Sequence, residues 1–534
     1  MKWPWLVVAL GTVAMGACVY DLDFHTQGGT DGGTQLCAPG TTTPCYDGPA
    51  GTEDVGICKA GTKTCAADGM SWGACAGEVL PQPVDCASGV DKHCDGSVAA
   101  CKGPLIWAAR FGDVSDQFGS GICSDPSNDI VVTGSFNGTI DFGGPSDILT
   151  SAGGRDVFVA KLDPSGGFVW SKSYGDVADQ FGAGIATDGV GGAVVTGVFA
   201  GTVDFGGGPL TAASPGDVFA LKLHADGSYD WSQRFGGAAG QVASAVATDA
   251  PGNVALVGAF YGTINFGGAA DGLTSNGAGD IFVAMLHPDG SYHWSKSFGD
   301  AANQTAYGVA TNATGDVVVT GTFQGTVNFG GADLVSAGGG DLFVAKFDAA
   351  GNHKASARFG DASDQLGYAV AMDAQGNVVV TGALWGSIDL GGTLGTLTSA
   401  GDSDVFVLAL DPLLVPVWGK RFGDTSQQIA YGVTLDAAGS AIVTGAFAGS
   451  VDFGGGPLAS AGLTDLFIAK LDSKGAWLWS RRAGGPGNDD GNAVAVDGAG
   501  NALLIGSFAQ TVDFGGTTLV SMGGEDVFVA KYGP

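Results

Sequence analysis

From about residue 105 to the end of the chain, short apolar runs alternate with breaks rich in Gly, Asp and Asn. The runs are rich in Val, Ile, Phe and Thr, and their shortness predicts strands rather than helices. The fifth unit shows the order. Residues 368–373 predict a first strand, and Asp373-Ala374-Gln375-Gly376-Asn377 a hairpin turn in which Gly supplies positive φ. Residues 378–382 predict a second strand. A longer connection follows through Asp389 and Gly391-Gly392, with room for an extra short hairpin. Residues 404–410 predict a third strand, and residues 415–422, through Trp418, a fourth.

Three markers repeat with this pattern. Tryptophan recurs at Trp107, Trp170, Trp231, Trp294, Trp418 and Trp479, with Ala355 in the remaining place. A D-[VIL]-F motif carries Phe158, Phe219, Phe282, Phe343, Phe406, Phe467 and Phe528. A T/S-[VI]-[DN]-[FL]-G-G motif begins at Thr139, Thr202, Thr263, Thr326, Ser387, Ser450 and Thr511. Each marker counts seven units of roughly 62 residues, longer than the ~40–50 of common propeller repeats. A four-stranded sheet with two apolar faces must stack on its neighbours, and radial stacking leaves only short protected edges. The array enters on Leu105–Phe111, a fourth-type strand without predecessors. It leaves on Asp526–Tyr532, a third-type strand without a successor, so the first segment is predicted to complete the last unit. An open β-solenoid is the alternative and needs no such closure. The predicted fold is all-β: a seven-bladed β-propeller of four-stranded blades, closed by an N-terminal strand and preceded by a small disulfide-rich module.

Residues 376–383 (G-N-V-V-V-T-G-A), 156–166 (D-V-F-V-A-K-L-D-P-S-G) and 170–176 (W-S-K-S-Y-G-D) together resemble the bacterial β-propeller repeat called SBBP. The likeness recurs seven times over about four fifths of the chain. It implies an exported or surface-associated protein and no common enzymatic activity.

Upstream of the array the pattern changes. Residues 1–17 read as a secretion signal, with Lys2 before an apolar stretch too short to span a bilayer comfortably. Ala14-Met15-Gly16-Ala17-Cys18 resembles a bacterial lipobox, which implies lipidation of Cys18 as the mature N-terminus. A plain signal peptide cleaved nearby is the alternative. Val19 after that cysteine implies, by resemblance to enterobacterial sorting, the outer membrane of a Gram-negative bacterium. Residues 18–36, ending in a Gly-rich run, predict a flexible tether.

Residues 37–103 predict a separate module. It holds Cys37, Cys45, Cys58, Cys65, Cys75, Cys86, Cys94 and Cys101, an even set in an exported segment too small to build much core. Disulfides are expected and their pairing is open. Zinc is the alternative, but zinc sites favour closer pairs. Residues 86–96 (C-A-S-G-V-D-K-H-C-D-G) resemble the metal-binding (MopE-like) motif of myxobacterial surface proteins. One residue is inserted before Gly89, and Lys92 and His93 replace its Asn-Asp pair, so a disulfide-closed turn is expected rather than a metal site. Cys123 is left over, at a position that is Ala or similarly small in other units, and reads as a small buried hydrophobe. Residues 104–534 form the predicted propeller.

Composition narrows the function. Glycine is abundant at 96 residues, but without the Gly-X-Y period of collagen. The net charge is −31, from 53 acidic and 22 basic residues scattered singly through turns. Such a field repels phosphate backbones, so nucleic acid is not expected as a partner. No cofactor is expected. Calcium is the alternative use of the acids, although no unit has the acidic density of an EF-hand loop.

Seven copies of a residue build a fold, whereas chemistry happens once. The aspartates opening every third strand, Asp156 through Asp526, are therefore expected to accept backbone N–H groups. Asp113, Gln117, Asp176, Gln180, Gln241, Asp300, Gln304, Asp361, Gln365, Asp424 and Gln428 fall in the predicted fourth-to-first-strand loops and are candidates for a binding face. The second-to-third connections are expected on the same face. No catalytic motif has its required strand–helix context. The expected function is a monomeric, lipid-anchored, non-catalytic binding or structural propeller for a protein or glycan. The alternative is a lyase- or glycosidase-type enzyme using a once-only cluster in the central channel.

Overall fold

The computed structural model describes residues 36–49, 51–81, 103–144, 148–268 and 272–534. The secretion signal, Cys18, most of the tether, the 86–96 motif and Cys86, Cys94 and Cys101 lie outside the described residues. The chain divides into two compact units, Met1–Ala100 and Cys101–Pro534. Among the described residues no helix is long and apolar enough to cross a membrane.

The smaller unit pairs Thr42–Cys45 with Gly61–Thr64 in an antiparallel sheet. Disulfides Cys37–Cys65 and Cys45–Cys75 hold it, and Cys58 is also disulfide-bonded. Its described buried apolar residues are two of these cysteines, Cys58 and Cys65, so cross-links stand where a larger domain has a core.

The larger unit is a seven-bladed propeller of four-stranded antiparallel sheets. In blade 4 the strands are Gln304–Thr311, Val317–Phe323, Asp341–Phe347 and His353–Phe359, from the channel outward. Third strands are buried at every position because neighbouring blades cover both faces. The surplus length of each unit forms an extra two-stranded hairpin between second and third strands, such as Thr202–Asp204 with Pro209–Thr211. The seven first strands pack on one another around the channel, blade 7 against blade 1, so the ring is closed. Leu105–Phe111 supplies the outer strand of blade 7 by pairing with Thr518–Tyr532, with Ala109 opposite Val529.

The repeated tryptophan joins blades. Indole Nε1 of Trp170 donates to the Ala225 carbonyl in the next blade at 3.1 Å, and Trp231, Trp294 and Trp418 do likewise to Pro288, Ala349 and Ser473.

One boundary differs from the sequence reading. The first strand of blade 5 is Gln365–Met372, starting before Tyr368, so the repeated glutamine opens the strand instead of lying in the loop. A β-bulge between Gly367 and Ala369 breaks the alternation that marks a strand in sequence. Every first strand carries this bulge, and the extra residue it leaves out of the ladder is Tyr307, Tyr368 and Tyr431 in blades 4, 5 and 6.

Candidate binding face and channel mouth

The predicted loop residues form one device, repeated around one face. Gln117 is fully buried; its amide donates to the Asp113 carboxylate at 2.8 Å and to the Asn137 carbonyl at 3.1 Å. Burial works against the Asp113 charge. Even so, the N–H of Ser115, the hydroxyl and N–H of Thr139 and the Gln117 amide hold its pKa below the usual carboxylate range. Asp176 with Gln180, Asp300 with Gln304, Asp361 with Gln365 and Asp424 with Gln428 repeat the pairing. Gln241 faces Gly237 in place of an aspartate. The bond from Thr139 to Asp113 ties an extra hairpin to a fourth-to-first loop, so the two loop classes share a face, hereafter the hairpin face. The glutamines are thus committed to backbone, and what they present to solvent is a set of pinned loops.

Beneath each clamp sits the aspartate of the third strand. Asp156 accepts the Ala152 N–H at 3.0 Å, as predicted of this position. The sequence reading missed the arginines on outer strands. Arg110 meets Asp526 at 2.6 Å and Arg421 meets Asp404 at 2.7 Å; Arg234, Arg358 and Arg482 pair with Asp217, Asp341 and Asp465. The arginine lies just before the Phe-Gly or Ala-Gly that ends each outer strand, a spacing visible only once the strands are paired. Asp156 and Asp280 face serines at that register, and burial raises both pKa values.

Several exceptions to the repeat gather at one mouth of the channel. In blade 7, Asp489 replaces the glutamine. Its Oδ2 accepts the Gly485 N–H at 2.8 Å, while Oδ1 is buried without a partner. Burial, with Asp465 and Asp490 nearby, pushes its pKa up to about 7. A protonated Asp489 can donate from the oxygen that stands where glutamine has its amide. The native state therefore holds a proton that the unfolded chain releases near pH 4. Stability from this group is full below pH 4 and is lost as pH rises to 7. Asp489→Gln is expected to stabilise the fold at pH 8, by up to roughly 4 kcal/mol at ~1.4 kcal/mol per pK unit and so with a higher melting temperature, and to change little at pH 4. Equal effects of the substitution at both pH values, measured by thermal melts, would contradict this.

Next to it, Asp490 and Glu525 are acidic where other blades have uncharged residues or arginine, and burial raises the pKa of each. Asp490 and Asp116 raise that of Glu525 further, while Ser507 and Arg155 lower it. Arg155, in the neighbouring blade, lies over the Phe118 ring at 4.6 Å and the Phe181 ring at 5.7 Å. Phe181 is exposed. Tyr307, Tyr368 and Tyr431 stand side by side, with ring centroids 5.3 and 5.8 Å apart. The other blades place Ser120, Ala183, Ser244 and Asn492 at that position, so only one side of the channel is aromatic. A cavity of about 260 Å³ opens beside Tyr431 and Asp490. Among the described residues no three His, Cys, Asp or Glu side chains converge as a metal-binding group.

Comparisons with known proteins bear on the repeat. The uncharacterized WD repeat-containing protein L264 of Acanthamoeba polyphaga mimivirus is 22% identical over a match covering 80% of this chain and 38% of that one. The chain thus spans about two fifths of that relative's length. Among solved structures, Sqt1 from Chaetomium thermophilum is 9% identical with a TM-score of 0.35, over 79% of this chain and 99% of that one. A Synechocystis apocarotenoid oxygenase mutant is 12% identical with a TM-score of 0.33, over 81% and 94%. Residues 478–507, from the outer strand of blade 6 into the second strand of blade 7, match the family model SBBP, described as Beta-propeller repeat.

Proposed function

We propose that this chain is an exported, lipid-anchored, non-catalytic binding protein of the bacterial cell envelope, taking a protein or glycan at the hairpin face. Cys18 would carry the anchor at the outer membrane or cell surface, and the disulfides fit an oxidising compartment. Closure of the ring fits a monomer, because only the short outer edges of the blades are left unpaired. One observation carries the reading. The seven-fold positions are spent on each other, whereas the once-only residues Arg155, Asp490 and Glu525 meet Phe118 and Phe181, a pair that only blades 1 and 2 carry, at one mouth. Aromatic and arginine side chains on a rigid scaffold are what binding hot spots are made of. A lipid-free ectodomain is expected to capture a protein or glycan from native envelope. The double substitution Arg155→Ala with Phe181→Ala should weaken that capture about tenfold or more. Capture unchanged by the double substitution would overturn the reading.

A second reading, a lyase- or glycosidase-type enzyme, is favoured by the once-only carboxylates Asp490 and Glu525 with raised proton affinity. It requires depolymerisation of a polysaccharide that Asp490→Asn abolishes.

A further inference from the structure

The opposite face carries a second repeated device with one part missing. Five third strands hold a lysine, and in four of them its ammonium bridges two blades. Lys161 meets Asp125 in its own blade's first-to-second-strand turn at 2.7 Å and the Ala225 carbonyl of the next blade at 3.3 Å. That carbonyl is also the one the Trp170 indole uses. Lys222 meets Asp188 and Pro288, and Lys531 meets Asp497 and Pro164. Lys470 meets Asp436, and Lys346 uses Asp316 with Gly376. Blade 3 has Met285, which is 1% exposed and fills the space with an uncharged chain.

Blade 5 alone has a small residue, Ala409, at this place. Both acceptors for the absent ammonium remain. Asp373 keeps its turn bonds from Gln375 and Asn377; the Lys346 ammonium, bonded to the Gly376 carbonyl of the same turn, acts on it from beyond ion-pair distance, and among the described residues no lysine or arginine pairs with it directly. The Ser473 carbonyl of blade 6 receives the Trp418 indole at 3.0 Å. Between them opens a cavity of about 570 Å³, walled by Val379, Ala409, Trp418, Leu435 and the Asp373 and Ser473 acceptors. Val379 is 6% exposed, whereas its counterparts Val131, Val194, Val318 and Ile442 are fully buried.

We propose that this cavity is a binding site for a primary alkylammonium group, which enters from outside and takes the place of the missing lysine side chain. The apolar walls and indole suit the methylene stem, and the carboxylate and carbonyl suit the ammonium. The same chemistry is offered by a lysine of a partner polypeptide and by a free aliphatic amine. The site lies away from the hairpin face and stands independently of the function proposed there.

The test is calorimetric titration of the full ectodomain with n-butylammonium and with an uncharged-ended peptide containing one lysine. Both should bind. Ala409→Lys, which restores the repeat, and Ala409→Met, which copies blade 3, should each abolish binding while the protein still melts cooperatively. Asp373→Asn should weaken binding about tenfold, as expected for loss of one charge-assisted hydrogen bond. Tighter binding of the peptide assigns the site to a polypeptide lysine, and equal binding to a free amine. Binding of both probes undiminished in Ala409→Lys and Ala409→Met, or no binding by the parent protein, overturns the proposal.

Discussion

Removing residues 103–111 is expected to lower the unfolding midpoint of the whole propeller by on the order of 10 °C and to promote aggregation. That segment is the outer strand of blade 7, separated in sequence from its partner by almost the whole ring. Without it, Thr518–Tyr532 becomes an exposed edge with its N–H and C=O groups unpaired. Losses beyond the ladder add to this. Asp526 is fully buried and would lose Arg110, its ion-pair partner at 2.6 Å. A buried carboxylate left without its cation costs about 3–5 kcal/mol. Trp107, whose indole reaches toward the Pro164 carbonyl of blade 1 at 3.4 Å, would be lost as well. A synthetic peptide of residues 103–112 added in trans should restore part of the midpoint. An unchanged midpoint in the truncated protein would mean that the ring is not held closed by this strand.

The second large effect is expected from Gly321→Ala. Gly321 lies in the second strand of blade 4 opposite Ala306, beside the bulge that displaces Tyr307 from the ladder. A Cβ there would collide with the Thr305 carbonyl oxygen and come within 2.8 Å of the Ala306 Cα and 2.9 Å of the Phe343 ring. Those are backbone and core atoms with no room to yield, so a loss of about 3 kcal/mol or more is expected. The same substitution at Gly272, where nothing lies within 4 Å, should change stability by about 0.5 kcal/mol or less. Urea midpoints of the two variants decide it. Because the bulge places the channel residue, Gly321→Ala should also alter the packing of Tyr307 on Tyr368, visible in near-ultraviolet circular dichroism. Equal, small shifts for the two variants would show that the close approach is not needed.

The repeat was legible because the fold spends the same residues seven times. Trp170, Phe158 and the glycine of each second strand recur because each meets the same kind of neighbour from blade to blade: a carbonyl across the blade gap in most blades, the core, or a bulge. Strand order and closure followed from which strand type begins and ends the array. The start of the first strand was not legible, because the bulge between Gly367 and Ala369 breaks the alternation just where Gln365 pairs with Leu384. The candidate face was legible as loops but not as a site. Gln117 and Asp113 stand out in sequence because they repeat, and they repeat because they clamp backbone. The residues set apart on the finished ring are single departures. Arg155 stands where blade 2 has Gly216, Asp490 where blade 6 has Ile429, and Ala409 where blade 1 has Lys161. A departure has meaning only once the register is known, and the register came from strand pairing.

The proposal that the hairpin face is the working surface is tested most directly by hydrogen exchange on the ectodomain, free and with its captured envelope partner bound. Slowed exchange is predicted in the loops around residues 113–118, 152–155, 176–181, 486–490 and 522–526. Protection confined to the turns around residues 125–129, 188–192 and 249–253 on the opposite face, with those loops unchanged, would contradict it.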